Sequence, residues 1–492
     1  MNEIESKKQI LKSSSIIGGA SVITILVGLI KVKILALLLG PTGVGFFGIY
    51  TSVLALGSSI FGFGLVNAGV REISLQINNI NYLNQVRIFL KVISIFLGVI
   101  AILVIYSLRD EISSYLFNSK DEGIYILVLG LGIFFSLQTN VQLILLQGFR
   151  KIKEQAKLKI FSSLISTVIG IAIIYIYGVD GLAWAVIIVP ATNYFIGVFY
   201  VKKNIQIKKN KPNLSTLCGI SKNILYIGFI FMISGIMGEA TKLGVREIIV
   251  DNLGINASGY FQASWQISMT YISFILGAMV ADYYPRLTQS IGDKEKAHSV
   301  VNHQTEIALV FSSPIILCML TFAPIIVKVL YSNDFYPSIE ILRWQSFGDV
   351  LKILSWPLGF LLLAKGKTKS YFLIEMVWNI SYFIFVYYGL KKYGIEVTGY
   401  CFVLSYFIYT IILFAMVNRE CDFKWNIKVK KEFFLSFIFS ILILLLSYYN
   451  IYFTSVFGLI AIIITSYSAL KTLKEMGVNN KITNKAYAIL KI

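Results

Sequence analysis

The sequence has few charged side chains and few of the residues that build metal and disulfide sites. Only 14% of its 492 residues are charged, whereas a typical soluble domain has about 25%. Its four cysteines form no C-x-x-C pair, and its two histidines, His298 and His303, lie in a polar stretch among lysines and acids. This spacing excludes a disulfide framework and a zinc motif, so we expect no metal ion and no organic cofactor.

Motifs for nucleotide chemistry and hydrolysis are also lacking. The stretch GKT at 366–368 resembles the end of a phosphate loop, but that motif needs a glycine at the position of Leu361. The chain has no H-E-x-x-H and no dinucleotide fingerprint. The predicted outer loops are too short to carry the paired carboxylates that a membrane glycosyltransferase or polymerase often needs. We therefore expect a protein that is not an enzyme and that does not use ATP itself.

Apolar sequence is abundant. Hydrophobic residues make up 57% of the chain, the mean hydropathy is +0.75, and runs of about 20 apolar residues recur along its length. This pattern predicts an all-α polytopic membrane protein with about fourteen transmembrane helices, the first of which is too long to be a cleaved signal peptide. The predicted spans are 15–39, 44–69, 88–108, 124–148, 158–178, 181–201, 222–246, 258–281, 305–330, 340–364, 370–390, 397–417, 432–449 and 452–470.

The positive charge of the chain follows the predicted loops. Basic residues exceed acidic ones by 44 to 25, and they concentrate in alternate loops such as 150–159 and 202–211. Basic loops face the cytoplasm in membrane proteins, so this alternation predicts that both termini are cytoplasmic. The net charge of +19 is thereby explained without a nucleic-acid partner.

One short motif occurs twice. LGPTGVGFF at Leu39–Phe47 and LGINASGYF at Leu253–Phe261 share the pattern L-G-x-x-x-x-G-[Phe or Tyr]-Phe, and the second copy starts 214 residues after the first (253 − 39). Six predicted spans separate the copies, and an even number preserves orientation, so we expect two parallel six-helix repeats. The predicted domains are lobes at 1–206 and 207–425, with an extra helix pair and cytoplasmic tail at 426–492. Two such lobes predict a V-shaped alternating-access transporter.

Charged residues within the spans indicate the substrate. Lysine or arginine in a membrane costs roughly 2.5–3.5 kcal/mol on insertion scales, so such residues usually face a protein interior. The first span carries Lys31 and Lys33, and the seventh carries Glu239, Lys242 and Arg246 on one helical face. The surplus of positive charge predicts an anionic ligand, for which a pyrophosphate group is a natural fit.

Other interpretations of these charges stay open. Glu239 and Lys242 can form a structural ion pair, and the lysines of the first span can extend toward the membrane surface. Arg71 and Arg286, at matching ends of the second and eighth spans, are candidates to receive the same anion or to anchor the helices at the interface.

A second polar set lies on two later spans. Gln345, Asp349, Lys352 and Trp356 share one face of the tenth span, and Glu375 and Asn379 share a face of the eleventh. We interpret these six as candidates for sugar contact or gating, with ion pairing or packing as the alternative. An acid in a membrane can titrate or bind a cation, so the candidates for proton or sodium coupling are the three carboxylates Glu239, Asp349 and Asp282.

Two stretches carry a resemblance to a known family. KILALLLGPTGVGFFGIY (Lys33–Tyr50) and LYSNDFYPSIEILRWQSFGDVLKILSWPLGFLLLAKGK (Leu330–Lys367) resemble the bacterial O-antigen translocases. These are lipid-linked oligosaccharide flippases of the multidrug/oligosaccharidyl-lipid/polysaccharide exporter superfamily. The resemblance covers most of residues 10–420, and its most specific part runs from Arg343 to Pro357. The last two spans depart from the twelve-helix members.

The resemblance implies a function. It predicts that the chain moves undecaprenyl-pyrophosphate-linked sugar units from the cytoplasmic to the periplasmic leaflet of the bacterial inner membrane, as O-antigen flippases do for lipopolysaccharide. Lys33, just before the first corner, is the basic residue that it carries over. The partners it implies are the lipid-linked oligosaccharide, membrane lipids and other polysaccharide assembly proteins, and we expect a monomer.

Two other functions remain as alternatives. A drug or cation antiporter of the same superfamily would need a cavity dominated by acids and aromatics, against which the basic surplus argues. A membrane polysaccharide polymerase or glycosyltransferase is disfavoured by the short outer loops and the duplication.

Overall fold

The computed structural model describes residues 3–76, 79–205 and 214–475, and within them it is helical apart from turns and short loops such as 422–426. This confirms the predicted all-α polytopic membrane class. The fourteen α-helices of the described residues are α1 (Glu3–Gly62), α2 (Leu65–Leu75), α3 (Ile80–Phe117), α4 (Gly123–Gly148), α5 (Ile152–Tyr177), α6 (Leu182–Asn204), α7 (Leu214–Leu253), α8 (Ile255–Ser290), α9 (Lys294–Leu330), α10 (Ser338–Ala364), α11 (Thr368–Tyr393), α12 (Val397–Cys421), α13 (Ile427–Leu446) and α14 (Ile451–Glu475).

Ten helical runs of the described residues are long and apolar enough to cross a membrane. Ile152–Asn204 contains two of the predicted spans, 158–178 and 181–201, and Gly18–Gly62 covers most of two others, 15–39 and 44–69. The predicted spans at 258–281 and 432–449, which fall mainly in α8 and α13, are not among the ten. Helix α13 begins with three lysines and a glutamate, so only its residues 433–446 are free of charge.

One predicted span is divided between two helices. Phe63 and Gly64 have positive φ values of 47° and 59°, so the predicted second span is divided between the end of α1 and the short helix α2. Three basic stretches lie outside the residues whose backbone and side chains are described. They are most of the linker 204–216, the N-terminal lysines up to Lys12 and the C-terminal tail after Glu475.

The repeated motif forms a corner in both copies. Gly40, at φ 60° and ψ −160°, interrupts α1, and Gly254, at φ 81°, separates α7 from α8. Positive φ is costly for residues with a Cβ atom, so glycine is the residue that allows the chain to turn here. The predicted corner is therefore a real backbone feature at both sites.

The two corners also pack against each other in a reciprocal way. A Cβ atom on Gly45 would overlap the carbonyl oxygen of Ile255, and a Cβ atom on Gly259 would overlap the carbonyl oxygen of Pro41. Because 255 and 259 are 41 and 45 plus 214, each copy makes the same contact with the other. The hydroxyl of Thr42 donates to Oδ1 of Asn256, its own equivalent, at 2.5 Å. The corners are thus related by a local pseudo-twofold axis.

The chain divides into two compact units. Unit 1 comprises Met1–Gln262 and Leu330–Asp334. In it, α7 packs against α1, α2 and α3, and α4 packs against α3 and α6. Its apolar core includes Leu90, Ile144 and Ile224, which are fully buried. The predicted lobes at 1–206 and 207–425 stay a prediction.

Unit 2 comprises Ala263–Val329 and Phe335–Ile492. Its core is built on α10, which packs against α12 and α13. The C-terminal helix pair α13–α14 is part of this core, since Val429, Ile443 and Ala461 pack in the same cluster as residues of α9 and α10. The hydroxyls of Ser313 on α9 and Ser436 on α13 also form a buried hydrogen bond.

The corner contact predicts the effect of a small substitution. In Gly259→Ala the added methyl overlaps the backbone of Pro41, and overpacking of this kind typically costs about 1–3 kcal/mol. We expect a lower midpoint of thermal unfolding in detergent. Gly28→Ala is the matched control, because no atom lies within 4 Å of its added Cβ. Equal midpoints for the two variants would contradict the contact.

Candidate functional site

Two basic side chains of unit 1 each lie against an aromatic ring of the repeated corner. The Lys31 ammonium is 5.5 Å from the ring centroid of Phe47, and the Arg246 guanidinium is 5.3 Å from that of Phe261. Both cations are nearly buried, at 9% and 3% exposure. Cation–aromatic contacts of this kind gain strength where water is excluded. We name these four residues, with Gln262, the basic–aromatic site.

Arg246 is held in place by its surroundings. Its Nη2 donates a hydrogen bond to Oε1 of Gln262, and a Cβ atom at Gly48 would overlap its Nη1. Only a residue without a side chain leaves room for the guanidinium at that position. Phe47 and Gly48 are adjacent in the chain, so both cations border the same turn of α1.

The repeat accounts for the aromatic half of this arrangement. Phe47 and Phe261 are equivalent positions of the two corners, 214 residues apart. The cations are not equivalent, because Arg246 corresponds to Val32 rather than to Lys31. Each side chain nevertheless reaches the ring of its own corner. The two phenylalanines were not predicted as contacts of the cations, although the repeated motif contains both of them.

Two further predicted binding residues have partners within unit 1. The Lys242 ammonium pairs with Glu239 at 2.6 Å on the same helix face, which is the structural ion pair that the sequence left open. The Lys33 ammonium donates to the backbone carbonyl of Tyr331, in the part of unit 1 that follows α9. Lys242 is therefore part of an ion pair, and Lys31, Lys33 and Arg246 stay as the candidate ligands of an anion on α1 and α7.

The remaining predicted residues of this set lie elsewhere. Arg71 is exposed on α2 in unit 1, and Arg286 is exposed on α8 in unit 2. Exposed arginines near helix ends fit the anchoring interpretation as well as the reception of an anion. The side chain of Asp282 lies outside the described residues.

A cavity of about 370 Å³ in unit 1 is lined by acidic rather than basic side chains. It is lined by Phe46, Phe117, Asn118, Ser119, Asp121, Glu122, Val250, Gly254 and Ile255. Burial raises the pKa of the Glu122 carboxyl, and the nearby carboxylates of Asp180 and Asp121 raise it further, while the hydrogen bond from Tyr50 lowers it. Two carboxyl groups in its lining make this cavity unsuitable for a diphosphate.

Unit 2 holds a second polar site around Asp349 of α10. Asp349 is fully buried, and its Oδ2 accepts hydrogen bonds from the hydroxyls of Ser268, at 2.8 Å, and Tyr271. Both donors lie on α8, about 80 residues earlier in the chain, and no sequence pattern pointed to them. A buried carboxylate needs such donors to offset the loss of hydration.

Lys352 and Glu375 complete this polar site. The Lys352 ammonium lies 5.9 and 5.6 Å from the ring centroids of Phe402 and Tyr406, and it interacts electrostatically with both Asp349 and Glu375. Glu375 accepts a hydrogen bond from Tyr409 at 3.1 Å. We name Asp349, Lys352 and Glu375 the charged triad.

The other predicted residues of unit 2 differ in character. Trp356 packs with Tyr283 and Phe360, which is the packing interpretation. Gln345 is fully buried, and neither atom of its amide has a hydrogen-bond partner among the described residues. Asn379 donates to the Glu375 backbone at 2.9 Å. Buried polar atoms without partners are rare, so Gln345 marks a place where water or a ligand group can bind.

Comparisons with known proteins agree with the resemblance noted in the sequence. A family model described as "Polysaccharide biosynthesis protein" matches residues 34–340. The chain is 22% identical over 409 residues to a lipid III flippase of Escherichia coli (strain K12), covering 81% of this chain and 95% of that protein. It is 23% identical over 398 residues to a putative O-antigen transporter of Shigella flexneri, covering 78% and 92%.

Solved structures share the fold. The lipid II flippase MurJ in an inward closed conformation matches with a TM-score of 0.71 and 15% identity, over 92% of this chain and 98% of that one. An inward-facing multidrug resistance transporter of the MATE family and MOP superfamily matches with a TM-score of 0.67 and 19% identity, over 83% and 96%.

The basic–aromatic site predicts binding of a diphosphate. Inorganic pyrophosphate should raise the midpoint of thermal unfolding of the purified protein, since saturation at 100 times Kd adds about 2.7 kcal/mol. Arg246→Gln and Gly48→Ala should lose this effect, the first by removing the guanidinium and the second by displacing it. Lys242→Gln is the control that keeps it. An unchanged response in Arg246→Gln would contradict the assignment of the site.

Proposed function

The chain belongs to the polysaccharide biosynthesis protein family, and on that premise we propose that it is a transporter, not an enzyme, that moves a lipid-linked oligosaccharide across a bacterial inner membrane. Its substrate would be an undecaprenyl-pyrophosphate-linked sugar unit, such as an O-antigen repeat. The direction would be from the cytoplasmic to the periplasmic leaflet, by alternating access through a cationic cavity. The names of the E. coli and S. flexneri relatives support this substrate class.

The basic–aromatic site is the observation that carries the proposal. Lys31 and Arg246 are nearly buried on the two helices that precede the repeated corners. A buried cation is costly to hold in a protein interior. Lys31 lies against the ring of Phe47, and Arg246 lies against the ring of Phe261 and donates a hydrogen bond to Gln262. A pyrophosphate group supplies several acceptor oxygens and compensating charge, and arginine can bind it through two parallel hydrogen bonds.

The site fits a pyrophosphate better than it fits a sugar. Sugars are neutral and are usually held by amides and aromatic faces, whereas the strongest donors here are two nearly buried cations. Binding through the pyrophosphate would leave the sugars less constrained. A flippase that recognises the shared headgroup would then accept sugar units of different composition.

The drug or cation antiporter alternative shares this fold, as the match to a MATE transporter illustrates. The fold therefore does not separate the two functions, and the charge of the site must do so. A cationic drug would be repelled by Lys31 and Arg246, since two like charges close together in a low dielectric interact unfavourably. Conferral of cationic-drug resistance by the overexpressed chain would favour the antiporter.

The proposal predicts that transport depends on particular lysine and arginine side chains. The assay follows a fluorescent polyprenyl-diphosphate-linked N-acetylglucosamine in proteoliposomes and quenches the outer leaflet with dithionite. Arg246→Gln and Lys31→Gln should slow flipping at least about tenfold, because a charge-assisted hydrogen bond contributes about 1.5–3 kcal/mol. Lys33 is the residue that the family resemblance implies, and Lys33→Gln should also slow flipping.

Lys242→Gln is the matched control, since Lys242 already pairs with Glu239. This variant should flip lipid at close to the wild-type rate. All variants are compared at equal protein content after size-exclusion chromatography. Full activity in both Arg246→Gln and Lys31→Gln would overturn the cationic-site assignment. No flipping by the wild type, with the lipid incorporated in both leaflets, would contradict the function itself.

A further inference from the structure

The cavity of unit 1 that borders the second corner at Gly254 and Ile255 stays outside the pyrophosphate site. Its volume of about 370 Å³ lies within the usual range of ligand pockets, about 300–1,000 Å³. Asp121 and Glu122 in its lining repel a diphosphate by their charge. We name it the acidic cavity, and its ligand must be neutral or cationic.

One part of its lining is aromatic. The rings of Phe46 and Phe117 both line the cavity and stack on each other, with centroids 5.3 Å apart and planes at 22°. The Tyr50 ring packs edge-on against the Phe117 ring, with centroids 6.0 Å apart. The face of an aromatic ring carries partial negative charge and attracts weakly positive C–H groups. This part of the lining therefore suits a ligand with an apolar C–H face.

The other part of the lining is polar and held in position. The Tyr50 hydroxyl donates a hydrogen bond to Oε2 of Glu122 at 2.7 Å, and the Asn118 amide donates one to Oδ1 of Asp251 at 3.3 Å. A carboxylate accepts hydrogen bonds at both oxygens, and an amide has a second N–H and a carbonyl oxygen. Glu122 and Asn118 can therefore bind hydroxyl groups of a ligand, and hydrogen bonds to a carboxylate are stronger than neutral ones.

A sugar ring meets both requirements, because its faces carry C–H groups and its rim carries hydroxyls. A metal ion would make no use of the aromatic rings, and within the described part of the chain no three histidine, cysteine or acidic side chains are grouped to hold one. An organic cation would suit the rings and carboxylates. It would be repelled by the buried cation Arg246, however, which lies about one helical turn from Val250 of the lining. The lining thus favours a neutral sugar.

The acidic cavity adjoins the basic–aromatic site through two helices. On α1, Phe46 lines the cavity, and the next residue, Phe47, contacts Lys31. On α7, Val250 lines the cavity and follows Arg246 by four residues, which is about 6 Å along the helix and on the same face. In a glycan linked through pyrophosphate, the first sugar is bonded directly to a phosphate oxygen. Two neighbouring sites therefore match two neighbouring parts of one substrate.

We propose that the acidic cavity binds the first sugar of the lipid-linked oligosaccharide while the basic–aromatic site binds its pyrophosphate. The sugar ring packs on Phe46 and Phe117, and its hydroxyls form hydrogen bonds with Glu122 and Asn118. This inference rests on the proposed function and adds a specificity to it, because the flippase then recognises the sugar next to the pyrophosphate. The orientation predicted from the basic loops places this end of unit 1 at the periplasmic surface.

The test compares three fluorescent lipids, which are polyprenyl diphosphate alone and the same lipid carrying N-acetylglucosamine or galactose. Dissociation constants are measured with the purified protein in detergent. The wild type should bind at least one sugar-bearing lipid about tenfold more tightly than the bare diphosphate lipid, because a hydrogen bond to a charged group contributes about that factor.

Two variants change the cavity and leave the cations in place. Glu122→Gln keeps an oxygen acceptor for Tyr50 but removes the carboxylate charge, and Val250→Trp fills the cavity with a larger side chain. Both should bind the bare lipid like the wild type, which shows that they are folded, and should lose most of the preference for the sugar. Glu111→Gln, at an exposed carboxyl group of α3 outside the lining, is the matched control and should keep the preference. If Val250→Trp fails to fold, Glu122→Gln decides by itself.

The outcomes separate the inference from the function. Equal binding of all three lipids by the wild type, or a preference kept in Glu122→Gln, would overturn the sugar subsite and leave the pyrophosphate site intact. Ethidium binding that Glu122→Gln abolishes, without a sugar preference in the wild type, would assign the cavity to organic cations instead. Failure of the wild type to bind the bare lipid, or unchanged binding of it by Arg246→Gln, would contradict the basic–aromatic site and the proposed function with it.

Discussion

The cost of burying charge is the constraint on which this structure depends. A chain that is 57% hydrophobic has little polar surface to spare, so each ionic group inside it must meet a donor, an acceptor, a counter-ion or an aromatic face. Lys242 forms an ion pair with Glu239. Arg246 donates a hydrogen bond to Gln262 and packs on the ring of Phe261, and Asp349 accepts hydrogen bonds from two hydroxyls. These partners separate the charge that forms an ion pair from the charges that contact aromatic rings and neutral polar groups.

The duplication places the two aromatic rings of the basic–aromatic site. Two copies of one corner, turned by Gly40 and Gly254, contact each other reciprocally through Gly45 and Gly259. That contact brings the helices before and after each corner close together in unit 1. A single motif, written twice, thus produces both a tight backbone contact and a pair of aromatic rings against which two cations pack.

The predictions from sequence succeeded where the signal is local and failed where it is not. Apolar runs predicted the helices, and glycine in a repeated motif predicted the corners, since hydropathy and backbone freedom belong to short segments. The break at Phe63 and Gly64 was missed although glycines stand at 62 and 64, because the residues around them are apolar enough to predict one continuous span. The ion pair of Glu239 with Lys242 was one of two open interpretations, which spacing on one helix face could not separate.

The sequence by itself determined the membrane class, the helical content, the repeated corner and the sign of the surplus charge. These follow from composition and from contacts within a few residues. Only the tertiary structure decided that Lys33 donates a hydrogen bond to the Tyr331 carbonyl and that Arg246 lies on the ring of Phe261. The same is true of the hydrogen bond from Ser268 to Asp349. The physical reason is that a partner's identity depends on how helices pack, and packing joins residues that are up to about 300 positions apart in the chain.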